Sequence, residues 1–332
     1  MGTVWRLQTS TDSNDGKKIS TYCREQSIAA VGWSINDNQI KKYNAEAFDK
    51  IQSIRASIKS EDIYYKVLEE YNLFNIKAGK KIVAVETLKR VKPGDYIWMR
   101  DNGIYYLGYV GNNLRYVYNP SIDALEHDAA NQIEDVEWKP IGDESQVPGV
   151  IATAFIRGRT LQRVRKAYMY EYASFIYNGK PLAVNVESNE SLKQLFYNCL
   201  SPSDCEDLVC LYLYDKANYI AIPSTNKIAT ELYECVLVNP LNGKLAYPQV
   251  KKGDVKLNTN KYIDLIKDNP NKEVYLFSSE DQVVVDTHID NIHIISSDQL
   301  YSWVKEKIEE NSFLIPEGIV KWYKLIHSSK NS

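Results

Sequence analysis

The chain has 332 residues and a formal net charge of −3, with 44% hydrophobic and 25% charged residues, a balance typical of a globular protein of two domains. The small negative charge excludes a general attraction to nucleic acid, so any such binding must use local basic patches. No apolar run is long enough to cross a membrane, and the polar start predicts no secretory signal. The five cysteines fit no disulfide framework or zinc ribbon, which favours reduced thiols and a cytoplasmic location.

Residues 1–150 are predicted to form a first domain of short strands and helices. Apolar and β-branched residues favour strands, and apolar residues at helical spacing favour helices. The expected elements are a strand over Val4–Leu7, a short helix over Ser20–Gln26, a strand over Ser27–Ser34, and helices over Asn44–Lys59 and Tyr64–Phe74.

A hairpin is expected next, between the strands Tyr96–Arg100 and Ile104–Val110. Asp101-Asn102-Gly103 joins them, and Asn-Gly is favoured in tight hairpin turns because both residues tolerate positive φ. Further strands are expected at Tyr116–Tyr118 and Val136–Trp138.

Five short motifs follow one another in this domain: W-R-L at Trp5–Leu7, A-V-G-W at Ala30–Trp33, V-K-P-G-D-Y-I-W at Val91–Trp98, G-Y-V at Gly108–Val110 and V-E-W at Val136–Trp138. This order of motifs resembles the EVE-like branch of the PUA-like fold. The resemblance implies a small mixed β-barrel with helices that binds a modified nucleobase, often one flipped out of a duplex.

A flipped base must recover its stacking energy, and each aromatic contact supplies about 1–3 kcal/mol. Trp33 is the first candidate for the wall of such a pocket, followed by Trp98 and Tyr118. The alternative is that these aromatic side chains belong to the core of the barrel.

Residues 151–169 are expected to be a basic linker. Arg157, Arg159 and Arg163 stand in a densely basic stretch of an otherwise acidic chain. Such side chains contact DNA phosphates and release counterions. The alternative is a solvated helix between the domains.

Residues 170–332 are predicted to form a second domain in which strands and helices alternate, as in an α/β (α+β) fold with a central mixed sheet. Its expected elements are helices over Glu190–Leu200, Ser203–Tyr214, Tyr262–Lys267 and Ser297–Glu309, and strands over Tyr219–Ile222, Tyr233–Val238, Lys244–Val250, Glu273–Ser278 and Asn291–Ile295. Ser297 is the expected N-cap of the last helix.

The two strands around Asn239-Pro240-Leu241-Asn242-Gly243 carry the most informative pattern. A four-residue loop places Glu234 opposite Gln249, and a two-residue loop places it opposite Lys251. Both loops are even, so with either loop these three side chains share one face of the hairpin. The alternative is an ordinary surface hairpin with a Glu–Lys pair across its strands.

An acid on one strand followed by Q-x-K on the next resembles the active hairpin of the PD-(D/E)xK nucleases, in the Mrr-like branch. The resemblance implies Mg²⁺ or Mn²⁺ as cofactor, Glu234 and Gln249 as metal ligands, and Lys251 as the residue that orients the attacking water. Glu234 stands where most members have Asp, and Gln249 replaces a carboxylate.

Glu206 occupies the place of a helper acid on the preceding helix, or it closes a capping box with Ser203. His288 and His293 have no helical metal-ligand spacing and are expected to be structural.

Together the two resemblances imply a type IV-like restriction endonuclease that cuts modified DNA with a divalent metal and acts as a homodimer, without a membrane partner. Two alternatives remain: a non-catalytic binder of modified nucleic acid with a degenerate nuclease fold, and an RNA-directed nuclease.

Overall fold

A computed structural model of the chain describes residues 2–9, 18–156, 158–180, 189–227, 232–267, 269–285 and 289–328. The chain divides into two compact units. Unit 1 comprises Met1–Val147 and Ile151–Lys180, and unit 2 comprises Pro148–Val150 and Pro181–Ser332.

Unit 1 is mixed α/β, and its element bounds follow the predicted order. The strands are β1 Val4–Leu7, β2 Ile28–Ala30, β3 Tyr96–Asp101, β4 Ile104–Val110, β5 Tyr116–Tyr118, β6 Asn131–Glu134, β7 Val136–Gly142 and β8 Leu161–Arg163. The helices are α1 Ile19–Glu25, α2 Asp37–Asn44, α3 Phe48–Arg55, α4 Glu61–Glu70, α5 Val83–Leu88, α6 Ile122–Glu126, α7 Gly149–Ala154, whose first two residues belong to unit 2, and α8 Met169–Asn178.

The main sheet of unit 1 has the strand order β7-β4-β3-β1-β8, with β1 parallel to β3. Its central strands are buried on both faces. Leu7, Ile97 and Met99 join the hydrophobic core on one face. On the other face, Tyr96 contacts Tyr177 of α8. The predicted Asn-Gly hairpin is confirmed, since Asn102 and Gly103 have φ values of +48° and +81°.

The predicted barrel is wrong for the residues that the structure describes. Strands β2, β6 and β5 form a separate three-stranded sheet rather than closing the five-stranded one. Asp95 fixes the start of the main sheet, because its carboxylate accepts hydrogen bonds from Thr3 N at 2.7 Å and Trp5 Nε1 at 2.8 Å.

The predicted basic linker is also wrong as a separate segment. β8 pairs antiparallel with β1, with Trp5 opposite Arg163, so this stretch is part of the sheet of unit 1. The boundary of the unit therefore falls after Lys180, later than the predicted start of the second domain at residue 170.

Unit 2 contains the remaining elements. The helices are α9 Asn189–Cys199, α10 Pro202–Ala217, α11 Ile263–Ile266, α12 Ser297–Glu309 and α13 Glu317–Ser328. The strands are β9 Ile220–Ala221, β10 Leu237–Val238, β11 Leu245–Lys251, β12 Leu257–Asn258, β13 Lys272–Ser278, β14 Val283–Val284 and β15 Ile292–Ile295.

The main sheet of unit 2 is mixed, in agreement with the predicted α/β class. Its order is β15-β13-β11-β10-β9. β9, β10 and β11 pair antiparallel, whereas β11, β13 and β15 run parallel. α11 lies on the connection between β11 and β13. No helix in the described part of the chain is long and apolar enough to span a membrane.

Two predicted helix caps are wrong by one or two residues. The side chain of Ser201 accepts from Asp204 N at 3.1 Å, and the Asp204 carboxylate accepts from Ser201 N at 2.6 Å, which closes the capping box of α10. α12 is capped by Ser296 rather than Ser297. Glu206 therefore takes no part in the cap of α10.

Candidate functional site

The sequence allows a two-residue or a four-residue loop in the hairpin of unit 2, and the structure has the four-residue loop. Asn239 N donates to Lys244 O at 2.9 Å, which leaves Pro240–Gly243 as the loop. Leu237 lies opposite Ala246, but this register does not continue to Glu234. Glu234 N donates to Pro248 O at 2.9 Å, so the pairing slips by one residue before β10 and Glu234 lies opposite Pro248, the neighbour of Gln249.

The side chains of Glu234, Gln249 and Lys251 come together as predicted, although Glu234 lies outside the regular strand. Gln249 Nε2 donates to Glu234 Oε1 at 2.6 Å, and Lys251 Nζ lies 3.2 Å from the same oxygen. Gln249 is 1% exposed, whereas the Glu234 and Lys251 side chains are 24% and 34% exposed. The cluster thus has a buried floor and a rim that solvent reaches.

Glu206, on the first turns of α10, is electrostatically coupled to this cluster. Burial raises the pKa of its carboxyl group, repulsion by Glu234 and Asp207 raises it further, and attraction to Lys251 partly offsets both. A carboxylate that interacts with both Glu234 and Lys251 fits a helper acid.

The oxygen atoms of the cluster fit a hard divalent cation, the kind of ion that carboxylate and amide oxygens bind. Gln249 Oε1 is buried without a hydrogen-bond partner, and an unpaired buried carbonyl oxygen is costly unless a cation or water satisfies it. The Nε2 contact with Glu234 fixes which end of the amide is the oxygen. The described residues contain no group of three His, Cys, Asp or Glu side chains placed to bind metal, so this set depends on the amide as its third ligand.

A polar cavity of about 590 Å³ opens where the parallel strands end. In parallel sheets, ligands bind outside the carboxyl ends of the strands. Lys252 and Gly253 follow β11, and residues 279–282 follow β13; all of them line this cavity together with Lys193 of α9. Lys252 directly follows Lys251, so the cavity begins one residue beyond the cluster.

Trp33 forms the second candidate feature, in unit 1. Gly32 and Trp33 have φ values of +71° and +63°, and a left-handed Trp is strained. Partly buried hydrogen bonds hold the turn, because Tyr64 Oη donates to Trp33 O at 2.8 Å and Asn131 Nδ2 donates to the same oxygen at 3.1 Å. The Trp33 side chain is 37% exposed.

The Trp33 side chain lines a cavity of about 360 Å³, hereafter the Trp33 cavity. Phe74 contacts Trp33 edge to face at 5.5 Å and Tyr43 at 5.3 Å, so three aromatic rings form one wall. Asp128 lines the same cavity. Burial raises the pKa of the Asp128 carboxyl, and hydrogen bonds from Ser34 and Trp33 partly offset this. The cavity thus offers stacking faces beside a hydrogen-bond acceptor.

Trp98 and Tyr118 do not line a pocket, which corrects two predictions. Trp98 is completely buried in the main sheet, and Tyr118 is 3% exposed. Tyr118 Oη accepts from Ile35 N at 3.0 Å, and its ring lies 4.7 Å from that of Tyr64. Both positions alternate inward, and the same pattern suits core aromatics as well as pocket walls.

A groove lined by arginines continues from the Trp33 cavity. A second cavity, of about 460 Å³, adjoins the Trp33 cavity and shares Trp33, Phe74 and Thr160 with it. A third cavity, of about 600 Å³, adjoins the second and shares Arg159 and Leu161 with it. We call the surface of Arg90, Arg159, Arg163 and Arg165 in the third cavity the arginine groove. All four side chains are exposed. Two predicted phosphate contacts, Arg159 and Arg163, therefore lie here, and Arg157 falls outside the described residues.

His293 is held in a tyrosine–carboxylate network, as its structural interpretation predicts. Its ring stacks on Tyr275 at 4.7 Å, and Glu273 accepts from Tyr275 Oη at 2.9 Å. Burial lowers the pKa of the His293 imidazole. His288 lies outside the described residues.

Sequence reasoning missed the residues that tertiary structure brings to these sites. Phe74, Tyr43 and Asp128 reach the Trp33 cavity from separate elements, and no local spacing relates them. Tyr262 is electrostatically linked to the cluster, since burial raises the pKa of its hydroxyl to about 12 and the charge of Glu234 raises it further.

Comparison with known proteins gives no relative: no family model, no curated protein and no solved structure matches the chain.

Proposed function

We propose that the protein is a modification-dependent DNA endonuclease. In this proposal unit 1 binds a modified base and unit 2 hydrolyses phosphodiester bonds with Mg²⁺ or Mn²⁺. The observation that carries the proposal is the contact of Gln249 and Lys251 with one carboxylate oxygen of Glu234, at 2.6 and 3.2 Å.

The topology of unit 2 supports the nuclease part. A helix that carries an acid (α10) is followed by an antiparallel β9-β10-β11 meander, then by α11 and the parallel strand β13. The resemblance to PD-(D/E)xK nucleases implies a helix with Glu, a strand, a strand that begins with the first acid, and a strand with Q-x-K. The structure has this order up to β11, except that Glu234 lies before β10 rather than on it. No comparison with a known protein bears on it, so the chemistry of the residues must carry the argument.

Each residue of the cluster has a role that its contacts support. Glu234 and Gln249 would bind the metal through Glu234 Oε2 and the unpaired Gln249 Oε1, and Glu206 would add a carboxylate. The bound cation would offset phosphate charge and make a water molecule more acidic. Lys251, tethered to Glu234 and one-third exposed, would orient that water and stabilise the charge that develops on the phosphate.

The surface of unit 1 supports the part of the proposal that concerns recognition of a modified base. A flipped base would stack against Trp33 and Phe74, with Asp128 accepting a hydrogen bond from its edge. The phosphates of the same strand would follow the arginine groove, where four exposed guanidinium groups replace counterions. A volume of about 360 Å³ lies within the usual range of small-ligand sites.

Metal titration by calorimetry tests the nuclease part directly. Mn²⁺ should bind the full chain, and Glu234→Gln should weaken binding, because the variant keeps the shape and hydrogen bonds of the side chain but removes its charge. Glu309→Gln, at an exposed carboxylate on α12 outside the polar cavity of unit 2, is the matched control. Equal binding by the wild type and Glu234→Gln would remove Glu234 from the metal site.

The non-catalytic alternative has one observation in its favour. The described residues offer no three-member acid, thiol or imidazole cluster, and an amide binds metal more weakly than a carboxylate. Binding of modified duplex without metal uptake or cleavage would support this alternative. Competition between modified DNA and RNA oligonucleotides would distinguish a DNA-directed nuclease from the alternative, an RNA-directed nuclease.

A further inference from the structure

Two cysteine thiols meet beside the candidate site of unit 2. Cys210 Sγ and Cys235 Sγ lie 3.7 Å apart, although 25 positions separate the residues in the sequence. Cys210 lies on α10, and Cys235 lies in the irregular segment before β10. Both are free thiols, and neither has a role in the proposed nuclease chemistry.

We propose that Cys210 and Cys235 are a reversible disulfide pair, oxidised by exchange with a small-molecule disulfide such as oxidised glutathione. A disulfide requires a sulfur–sulfur distance of about 2.05 Å, so the two atoms must approach by about 1.7 Å from their present 3.7 Å. Cys235 lies outside the regular strand, between the hydrogen bonds from Glu234 N to Pro248 O and from Ile222 N to Val236 O, so the approach combines rotation of both side chains with a small backbone shift.

The exposure of the two thiols sets the order of the exchange. Cys210 is partly exposed, whereas Cys235 is 3% exposed. The thiolate of Cys210 therefore attacks oxidised glutathione first, forms a mixed disulfide and releases one glutathione thiolate. The thiolate of Cys235 then attacks the Cys210 sulfur and releases the second. In total, two protein thiols are oxidised, one glutathione disulfide is reduced to two glutathione thiols, and their protons pass through solvent.

The bond would act on the two acids of the candidate site. Glu206 lies one helical turn before Cys210, and Glu234 directly precedes Cys235. Drawing the two sulfur atoms together shifts both backbone segments, and hence the relative position of the two carboxylates. This consequence rests on the proposed nuclease function, whereas the disulfide itself does not.

Mass spectrometry of the full chain tests the disulfide without any assay of activity. After treatment with oxidised glutathione, we expect a linked pair of peptides containing Cys210 and Cys235, lighter by two hydrogen atoms and restored by dithiothreitol. Cys235→Ser should accumulate glutathione on Cys210, whereas Cys210→Ser should stay unmodified at the buried Cys235. Cys205→Ala, on the same helix, should still form the linked pair.

No linked pair in the wild type, or equal glutathione addition at both positions in the single variants, would overturn the proposal. Cleavage of modified duplex by the oxidised and reduced chains tests the coupling separately. Loss of cleavage on oxidation, absent in Cys235→Ser, supports the coupling, and equal cleavage by both forms refutes it. If neither form cleaves, the nuclease function fails, while the mass of the peptides still decides the disulfide.

Discussion

Among single residues, Lys251 bears most directly on chemistry, because its ammonium group is held 3.2 Å from Glu234 and remains accessible to solvent. Lys251→Ala should lower metal-dependent cleavage by at least about a hundredfold, the usual effect of removing one group that stabilises developing charge. Cleavage rates on a modified duplex measure this. Lys256→Ala, at an exposed lysine beyond the strand, should cleave normally, and unchanged cleavage by Lys251→Ala would rule out the site.

Glu206 makes a prediction about stability rather than activity. Its pKa is raised by burial and by neighbouring carboxylates, so between its usual pKa and the raised one the folded state holds a proton that the unfolded state has lost. Stability therefore falls as the pH rises through this window.

Glu206→Gln removes this penalty and should raise the melting temperature at pH 7, with little change near about pH 3, where the wild-type carboxyl is protonated in both states. Melting curves across this range measure it. Glu309→Gln, at an exposed carboxylate of α12, serves as the control. An equal effect of Glu206→Gln at both pH values would show that the Glu206 carboxyl is not destabilised by its surroundings.

In unit 2, the sequence predicts that Glu234, Gln249 and Lys251 come together, but strand alternation accounts for only two of them. Gln249 and Lys251 share a face of β11, whereas Glu234 lies in an irregular segment before β10 and reaches them through its side-chain contacts. Trp98 and Tyr118 show a further limit of strand alternation, because it gives the face of a strand but not what covers it.

At the scale of elements, the Trp33 turn and the arginine groove make separate predictions. Trp33→Ala should weaken binding of a modified oligonucleotide by about ten- to a hundredfold, the equivalent of one lost stacking contact. Fluorescence anisotropy measures this. Trp33→Phe should retain most of the affinity, and Phe313→Ala, at a fully exposed ring of unit 2, should bind normally. Unchanged affinity in Trp33→Ala would contradict the pocket.

The arginine groove predicts a salt effect rather than a loss of base preference. Arg159→Gln should reduce the slope of log affinity against log salt by about one, because one phosphate contact is removed. Titrations at several salt concentrations measure the slope. Arg115→Gln, at an exposed arginine paired with Glu134, should leave the slope unchanged. An equal slope in Arg159→Gln would show that this groove does not follow the backbone.

Elements were predicted well where sequence pattern and pairing agree. β11 and the hairpin of β3 and β4 carry strong alternation and turn signals, and both formed near the expected bounds. β10 is shorter than expected, Leu237–Val238 instead of Tyr233–Val238. Pro248 accepts from Glu234 N at 2.9 Å but has no N–H to return, so the ladder stops there. The sequence of β8 predicts a linker, because no local pattern indicates its pairing with β1, more than 150 residues away in the chain.

For the whole molecule, the sequence predicts the mixed α/β class correctly but not how the sheets close. The expected barrel of unit 1 came from a resemblance in motif order, and motif order does not determine whether a distant strand pairs across an open edge. The same limit applies to the predicted boundary between the units at residue 170. Unit 1 extends to Lys180, because β8 and α8 pack on its sheet.

The most direct test of the account is cleavage by the full chain on a panel of modified and unmodified DNA duplexes, with Mg²⁺ or Mn²⁺ and with a chelator. We predict cuts in a modified duplex that require the metal and disappear on chelation, with unmodified duplex left intact. Binding of modified duplex without cleavage under any metal condition would contradict the nuclease assignment and leave unit 1 as the functional part of the molecule.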